Sequence, residues 1–206
     1  MEKSRTLKTL LDKLEYEPVQ GTLEREITAV VYDSRKVIPG CLFICINGAN
    51  FDGHDFAAQA AAQGAGVLVV QKDIELPADA DVTVIKVADT RYAMAFISAA
   101  WFDHPAEKLK VIGITGTNGK TTTSRMIEQS WQDAGISYFA NKSGANLLSG
   151  VTAEFAVHST LTGRCRYSHA LIESDEAALK FISKYVDAKV IVYTNVFRDQ
   201  LDRYGE

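Results

Sequence analysis

Cysteine is scarce in this chain of 206 residues. Cys41, Cys45 and Cys165 are odd in number and show no C-x-x-C spacing, which argues against a disulfide framework and against a self-contained zinc site. Proline is missing from the last 101 residues, since all four prolines lie at or before Pro105. Long apolar runs are missing too. The opening MEKSRTLKTLLDKLEYEP carries charges throughout and holds neither a signal-peptide core nor a membrane span. A cytoplasmic protein without membrane insertion is the default expectation. Nor is there an excess of one charge: 22 Lys+Arg stand against 26 Asp+Glu, a net charge of -4, so nothing points to nucleic acid or to an anionic membrane.

What is present suits an ordinary globular protein. Residues are 47% hydrophobic and 23% charged, enough for a sizeable core in one large or two small domains. RTLKTLLDKLEY (5–16) places Leu7, Leu10, Leu11 and Leu14 at helical spacing, with Pro18 closing the segment. ITAVVYDSR (27–35) and CLFICIN (41–47) are expected strands around a Pro39-Gly40 turn, and Cys41 and Cys45 fall on one strand face as small buried hydrophobes. A helix ending at Gly64, strands GVLVVQKD and DVTVIKVA, and a buried helix over 89–105 with Asp89 as its cap complete the first part. After AEKLK the chain starts a fresh strand, so two domains are expected, 1–107 and 108–206.

The second part repeats the rhythm: strand 111–115, helix 120–134, strand ISYFA, loop NKSGANLLSG, strand HALIESD, helix EAALKFISKYV and strand AKVIVYTN. Ile127, Trp131 and Ala134, and then Ala178, Ile182 and Tyr185, fall on single helix faces. The fold class is α/β, a parallel sheet with helices on both sides. The last residues, NVFRDQLDRYGE, contain no finished element, so the chain is expected to be a fragment of a longer protein. Arg198, Asp199, Asp202 and Arg203 alternate in charge and read as a solvated helical start. His54, His104, His158 and His169 are scattered, and only His54 lies in a plausible site loop.

VIGITGTNGKTTT (111–123) departs from the usual G-x-x-x-x-G-K-[ST] pattern, because Ile114 stands where the first glycine belongs. The physical requirements of a phosphate loop are met all the same. Gly116 and Gly119 free the backbone to turn its N–H groups toward one anion, Lys120 adds charge, the following helix adds its dipole, and Thr121 offers a hydroxyl to magnesium. The alternative is a tight strand-to-helix turn with a threonine cap. With a nucleotide bound, three chemistries stay open: hydrolysis for motion, phosphoryl transfer, or activation of a carboxylate.

G-T-N-G-K-T-T resembles the nucleotide loop of the Mur ligases, the ATP-dependent enzymes that add amino acids to the cell-wall precursor. YDSRKVIPGCLFICINGANFDGHDFAAQAAAQGAGVLVV is similar to the UDP-binding domain of the tripeptide-synthetase branch, and DTRYAMAFISAAWFDHPAEKLKVIGITGTNGKTTT to its link into the central ATPase domain. The resemblance implies a small N-terminal α/β UDP-binding domain followed by the first part of a P-loop-type α/β ATPase domain. It implies ATP at Gly116, Thr117, Asn118, Gly119, Lys120, Thr121 and Thr122, with Lys120 on the β/γ phosphates and Mg2+ on Thr121 and Glu173. Lys120 and Glu173 are then the catalytic pair. Glu173 has independent sense as a carboxylate at the C-terminal end of a strand beside the loop. Asp175 and Glu176 are more simply explained as first-turn residues facing a helix dipole. In the first domain Ser34 would touch the uridine diphosphate, with Ala49, Asn50 and Phe51 beside it.

The implied reaction joins an amino acid to a UDP-N-acetylmuramoyl-peptide through an acyl phosphate. The chain alone is expected to be inactive, since residues that bind the incoming amine would lie beyond it. Two departures qualify the resemblance. Gln200 stands where the tripeptide synthetases carry a histidine of a second magnesium site. NKSGANLLSG, ALIESDEAAL and TNVFRDQLDRYGE lean toward the MurT-like amidating branch, which works with a glutaminase partner. Amidation, or nucleotide binding without catalysis, are therefore the alternatives.

Overall fold

The computed structural model describes residues 5–48, 51–141 and 146–195. The chain divides into two compact units, one ending at Trp101 and one beginning at Phe102, a few residues before the 107/108 boundary expected from the sequence. The 3-10 turn Pro105–Lys108 belongs to the second unit, where the Lys108 ammonium bridges the Asp103 carboxylate (2.8 Å) and the Thr162 carbonyl (3.2 Å).

The first unit opens with β1 (Arg5–Thr6), a single helical turn α1 (Leu7–Leu10), β2 (Glu17–Gln20), β3 (Glu26–Ile27) and β4 (Val30–Val31). The helix expected over 5–16 is thus shortened. Leu7, Leu10, Leu11 and Leu14 are buried, as their spacing requires, but Lys13 adopts a left-handed backbone with φ 64° and the helix cannot pass it. The strand expected over 27–35 is also broken. Thr28 turns its N–H to the Gly40 carbonyl (3.1 Å) and its hydroxyl to the Pro39 carbonyl (2.9 Å). Past Val31, Asp33 Oδ1 accepts the Arg35 N–H (3.0 Å) and starts a 3-10 turn at Ser34–Lys36. In both places a side chain competes successfully for backbone groups that a ladder would use.

Then come β5 (Leu42–Ile44), α2 (Ala57–Ala62), β6 (Val67–Val70), β7 (Thr83–Lys86) and α3 (Thr90–Trp101). Strands β4, β5, β6 and β7 are neighbours in that order and all parallel, while β2 adds antiparallel to the outer side of β7. Strand β2 contains Pro18, expected only to end a helix; a residue without an N–H is tolerated there because the strand is an edge. Cys41, Phe43 and Cys45 share a face and join Leu68, Val70 and Val84 in one core cluster. Leu42 and Ile44 are buried on the other face, the pattern of a parallel strand covered on both sides. Helix α3 begins where Asp89 Oδ1 accepts the N–H groups of Arg91 (2.7 Å) and Tyr92 (3.1 Å).

The second unit contains β8 (Lys110–Thr115), α4 (Lys120–Asp133), β9 (Tyr138–Ala140), α5 (Leu148–Val157), β10 (His169–Glu173), α6 (Glu176–Ile182) and β11 (Ala188–Tyr193). Helix α5 goes beyond the sequence expectation. No side chain caps its start and Gly150 lies in its first turn, so the usual entry signal is missing. Ala178, Ile182 and Tyr185 are buried as expected. On α4, by contrast, Ile127 and Trp131 are half-buried, and Ala134, its C-cap, is exposed.

All four strands are parallel, in the order β11-β8-β10-β9. From β8 the chain crosses over β10 to reach β9; from β10 it crosses over β8 to reach β11. The two central neighbours therefore send their connections in opposite directions. Such a switch point opens a crevice at the C-terminal ends of the two strands, which is where open α/β sheets bind ligands. No helix among the described residues is long and apolar enough to cross a membrane.

Candidate functional site

The loop leaving β8 runs from Gly116 to Gly119 and enters α4 at Lys120. Gly116 has φ 129° and Gly119, the N-cap of α4, φ 81°, a region that only glycine occupies without cost. Gly116 is required for space as well, because a Cβ there would lie 2.9 Å from Asn195 Oδ1. The Lys120 ammonium folds back to donate to the Gly116 carbonyl, so the charge lies over the loop. Asn118 and Thr122 are exposed.

Residues after β11 brace this loop. The Thr194 N–H donates to the Thr115 carbonyl (2.9 Å) and its hydroxyl to the Asn118 carbonyl (2.6 Å), while Asn195 Oδ1 accepts the Asn118 N–H (3.2 Å). From the other side the Thr117 hydroxyl donates to Glu176 Oε1 (3.0 Å). Sequence reasoning assigned no loop role to Thr194, Asn195 or Glu176, because Glu176 lies in the β10-to-β11 crossover, the other two follow β11, and all three are far from Gly116 in the chain.

Glu173 ends β10, directly opposite Ile114 of β8 in the parallel register. It is 9% exposed, and its Oε2 lies 3.4 Å from the Thr121 hydroxyl at the start of α4. Asn141, just beyond β9, holds the Glu173 backbone with two hydrogen bonds. The switch point thus brings Gly116, Gly119, Lys120, Thr121 and Glu173 to one crevice. No group of three or more His, Cys, Asp or Glu suited to a metal occurs among the described residues. Magnesium does not require one: it keeps several waters and takes one or two protein oxygens beside substrate phosphates. A carboxylate and a hydroxyl from two elements fit that habit.

In the first unit, the turn containing Ser34 follows β4, and the loop containing Phe51 follows β5. Both therefore lie at the C-terminal ends of adjacent parallel strands. Ser34 is half-buried and Phe51 is 76% exposed. Ala49 and Asn50 lie outside the described residues, as do Arg198, Asp199, Gln200, Asp202 and Arg203. Asp33 makes a double contact with the Arg35 guanidinium (2.9 and 2.8 Å), and these bonds hold its carboxyl at about 2, below the ordinary 3.8.

His54 proves to be a strut. Its side chain is 2% exposed, Nδ1 meets Asp52 Oδ1 at 2.5 Å, and Nε2 accepts the Gln71 N–H at 3.0 Å. An accepting Nε2 places the proton on Nδ1, so the ring is neutral and donates to Asp52. Asp52 also accepts from the Lys72 ammonium (2.7 Å) and the His54 N–H (3.0 Å). Lys72 first, then the His54 bonds, hold its carboxyl well below the usual carboxylate range. Gln71 continues the network, its Oε1 accepting the Thr90 hydroxyl (2.8 Å) at the start of α3.

Comparison with known proteins gives the family. Residues 26–102 match the family described as "Mur ligase family, catalytic domain", and residues 114–206 match "Mur ligase middle domain". The chain belongs to the Mur ligase family. A relative is the UDP-N-acetylmuramoyl-L-alanyl-D-glutamate--2,6-diaminopimelate ligase of Clostridium perfringens (strain 13 / Type A), 35% identical over 95% of this chain. The match covers 42% of that relative, so this Mur ligase chain spans less than half the length of such proteins. Among solved structures, MurF from Acinetobacter baumannii superposes with a TM-score of 0.65 at 27% identity, covering 99% of this chain and 44% of its own. MurF from Thermotoga maritima, solved in complex with ADP, shares the fold with a TM-score of 0.57 at 21% identity, covering 86% of this chain and 40% of that one.

Proposed function

We propose that this chain provides the precursor-binding and nucleotide-binding parts of an ATP-dependent ligase of peptidoglycan precursor synthesis. One observation carries the reading: the switch point joins the glycine loop, Lys120, Thr121 and Glu173 in a single crevice. In the proposed reaction a carboxylate of a UDP-N-acetylmuramoyl-peptide attacks the γ-phosphorus of ATP, ADP leaves, and an acyl phosphate forms. The amine of an amino acid then attacks the acyl carbon, releasing phosphate and a proton. Relatives named as diaminopimelate ligases favour amino-acid addition over amidation with a glutaminase.

The chain's own residues supply position and charge. The loop from Gly116 to Thr122 would wrap the phosphates, and Lys120 would leave the Gly116 carbonyl to neutralise charge spreading over the transferred group. Thr121 and Glu173 would hold Mg2+, which supplies a Lewis acid to the phosphate oxygens. In the first unit Ser34 and Phe51, with Ala49 and Asn50, would anchor the uridine diphosphate end and so position the distant carboxylate.

The deciding experiment takes the gene product that carries this chain, UDP-N-acetylmuramoyl-dipeptide, ATP, magnesium and candidate amino acids. Phosphate release that depends on both acceptor and amino acid is expected. No stimulation by any UDP-muramyl acceptor would sink the proposal.

A further inference from the structure

The contact between Thr117 and Glu176 has a chemistry that the simple helix-dipole explanation of Glu176 does not cover. Asp175 already caps α6, its Oδ1 accepting the Ala177 N–H (3.2 Å), so the dipole does not need Glu176. Glu176 instead reaches out of the first turn and accepts the Thr117 hydroxyl at 3.0 Å. Its second oxygen is buried and has no hydrogen-bond partner among the described residues. An unsatisfied carboxylate oxygen is costly to bury, and a negative charge beside a loop shaped for anions adds repulsion once phosphate arrives. Stability alone gives no reason for such a group here, and arrangements that break a local rule in this way concentrate at functional sites.

We infer that Glu176 is a positioning residue for nucleotide binding: it fixes the Thr117 side chain so that the loop is already shaped for phosphate before ligand arrives. The hydroxyl is committed as a donor to the carboxylate, which leaves the loop backbone, not the threonine oxygen, to face the anion. Glu176 works from the side opposite to the Thr194 and Asn195 contacts, so the loop is held at Thr117 by the β10-to-β11 crossover and at Asn118 by the residues that follow β11. What Glu176 supplies is an acceptor atom, and its charge is incidental or unfavourable. This inference rests on the nucleotide reading of the loop.

The distinction gives opposite expectations for two substitutions. Glu176→Gln keeps an acceptor oxygen and removes the charge; Glu176→Ala removes both. The assay is titration of the 206-residue protein with mant-ADP and magnesium, with Lys120→Ala as the control for binding at the loop. Glu176→Ala is expected to weaken binding about five- to tenfold, the size of one ordinary hydrogen bond, whereas Glu176→Gln binds at least as tightly as the unsubstituted protein. Thr117→Val, which lacks the donor, should match Glu176→Ala. The double variant should be no weaker than either single one, because both remove the same bond. Thermal melting without nucleotide checks that each variant is folded, and Thr117→Val carries the test if Glu176→Ala is not. Glu176→Gln losing as much as Glu176→Ala, or additive losses in the double variant, overturns the inference. If mant-ADP binding is abolished by Lys120→Ala but untouched by Glu176→Ala and Thr117→Val, the inference alone falls. Absence of binding by the unsubstituted protein removes the nucleotide reading and the inference with it.

Discussion

Asn141 grips Glu173 by its backbone. The Asn141 Oδ1 accepts the Glu173 N–H at 2.7 Å, and its Nδ2 donates to the Glu173 carbonyl at 2.8 Å. Both residues are buried, so the carboxylate at the end of β10 is aimed by a side chain from the end of β9. The preorganisation of the crevice depends on this pair.

Asn141→Ala should therefore act on metal use and on stability together. Supporting partners of metal ligands typically matter by about 10- to 100-fold in metal affinity. Leaving a buried N–H and carbonyl unpaired costs about 1–3 kcal/mol for each group. Magnesium titration of nucleotide binding and urea unfolding read the two effects; a variant unchanged in both would contradict the role given to Asn141.

Glu173→Gln should lower nucleotide affinity about tenfold or more in magnesium and leave the magnesium-free affinity nearly unchanged, because the lost group is a hard oxygen ligand. Isothermal titration with and without EDTA makes the comparison. An equal loss in both buffers would mean that Glu173 does not bind the metal.

Gly116→Ala should fail for geometric reasons. The new Cβ would need φ 129° and would stand 2.9 Å from Asn195 Oδ1, a strain of about 1–3 kcal/mol. Reduced melting temperature together with lost nucleotide binding is the expected outcome, and a neutral variant would show that the loop can rebuild around a side chain.

Acid should act on the first unit through Asp33 and Asp52. Both carboxyls are lower when folded than when unfolded: Asp33 falls from 3.8 to about 2 and Asp52 falls further. Their contribution is fully present above the unfolded value and is lost as pH falls through the folded values. Asp52→Asn should therefore destabilise the protein at pH 7, and the difference from the unsubstituted protein should shrink between about pH 4 and pH 2. Urea unfolding across that range checks the sign.

Native alkylation should find one thiol. Cys41 and Cys45 are buried, and burial pushes the Cys45 thiol up to about 12 and also raises Cys41; neither supplies thiolate at neutral pH. Cys165 is partly exposed. Iodoacetamide followed by peptide mapping should mark Cys165 first, and early labelling of Cys45 would contradict the packed core around it.

Much of this was legible in the sequence because it depended on local pattern. Gly116, Gly119 and Lys120 are read from one loop, and the shared face of Cys41 and Cys45 from one strand. Glu173 was within reach because a strand end is a local feature with a general meaning. Glu176, Thr194 and Asn195 were not, since their contacts with the loop depend on the order β11-β8-β10, which no local pattern records. His54 was legible as a site-loop residue but not as a strut, because Gln71 reaches it from the end of another strand. Helix α5 and strand β2 were missed for the reverse reason: their local signals are poor, and tertiary packing supplies what propensity does not.

Pro18 gives the first sheet a finished border. With one N–H of the four-residue β2 removed at Pro18, that side resists addition of a further strand from another molecule. The second sheet ends differently. Among the described residues β11 pairs only with β8, and it leaves Val190, Ile191 and Tyr193 at 50%, 39% and 57% exposure. Self-association of the isolated 206-residue chain should therefore begin at residues 188–193, and a lysine at position 191 is the change expected to make it more soluble.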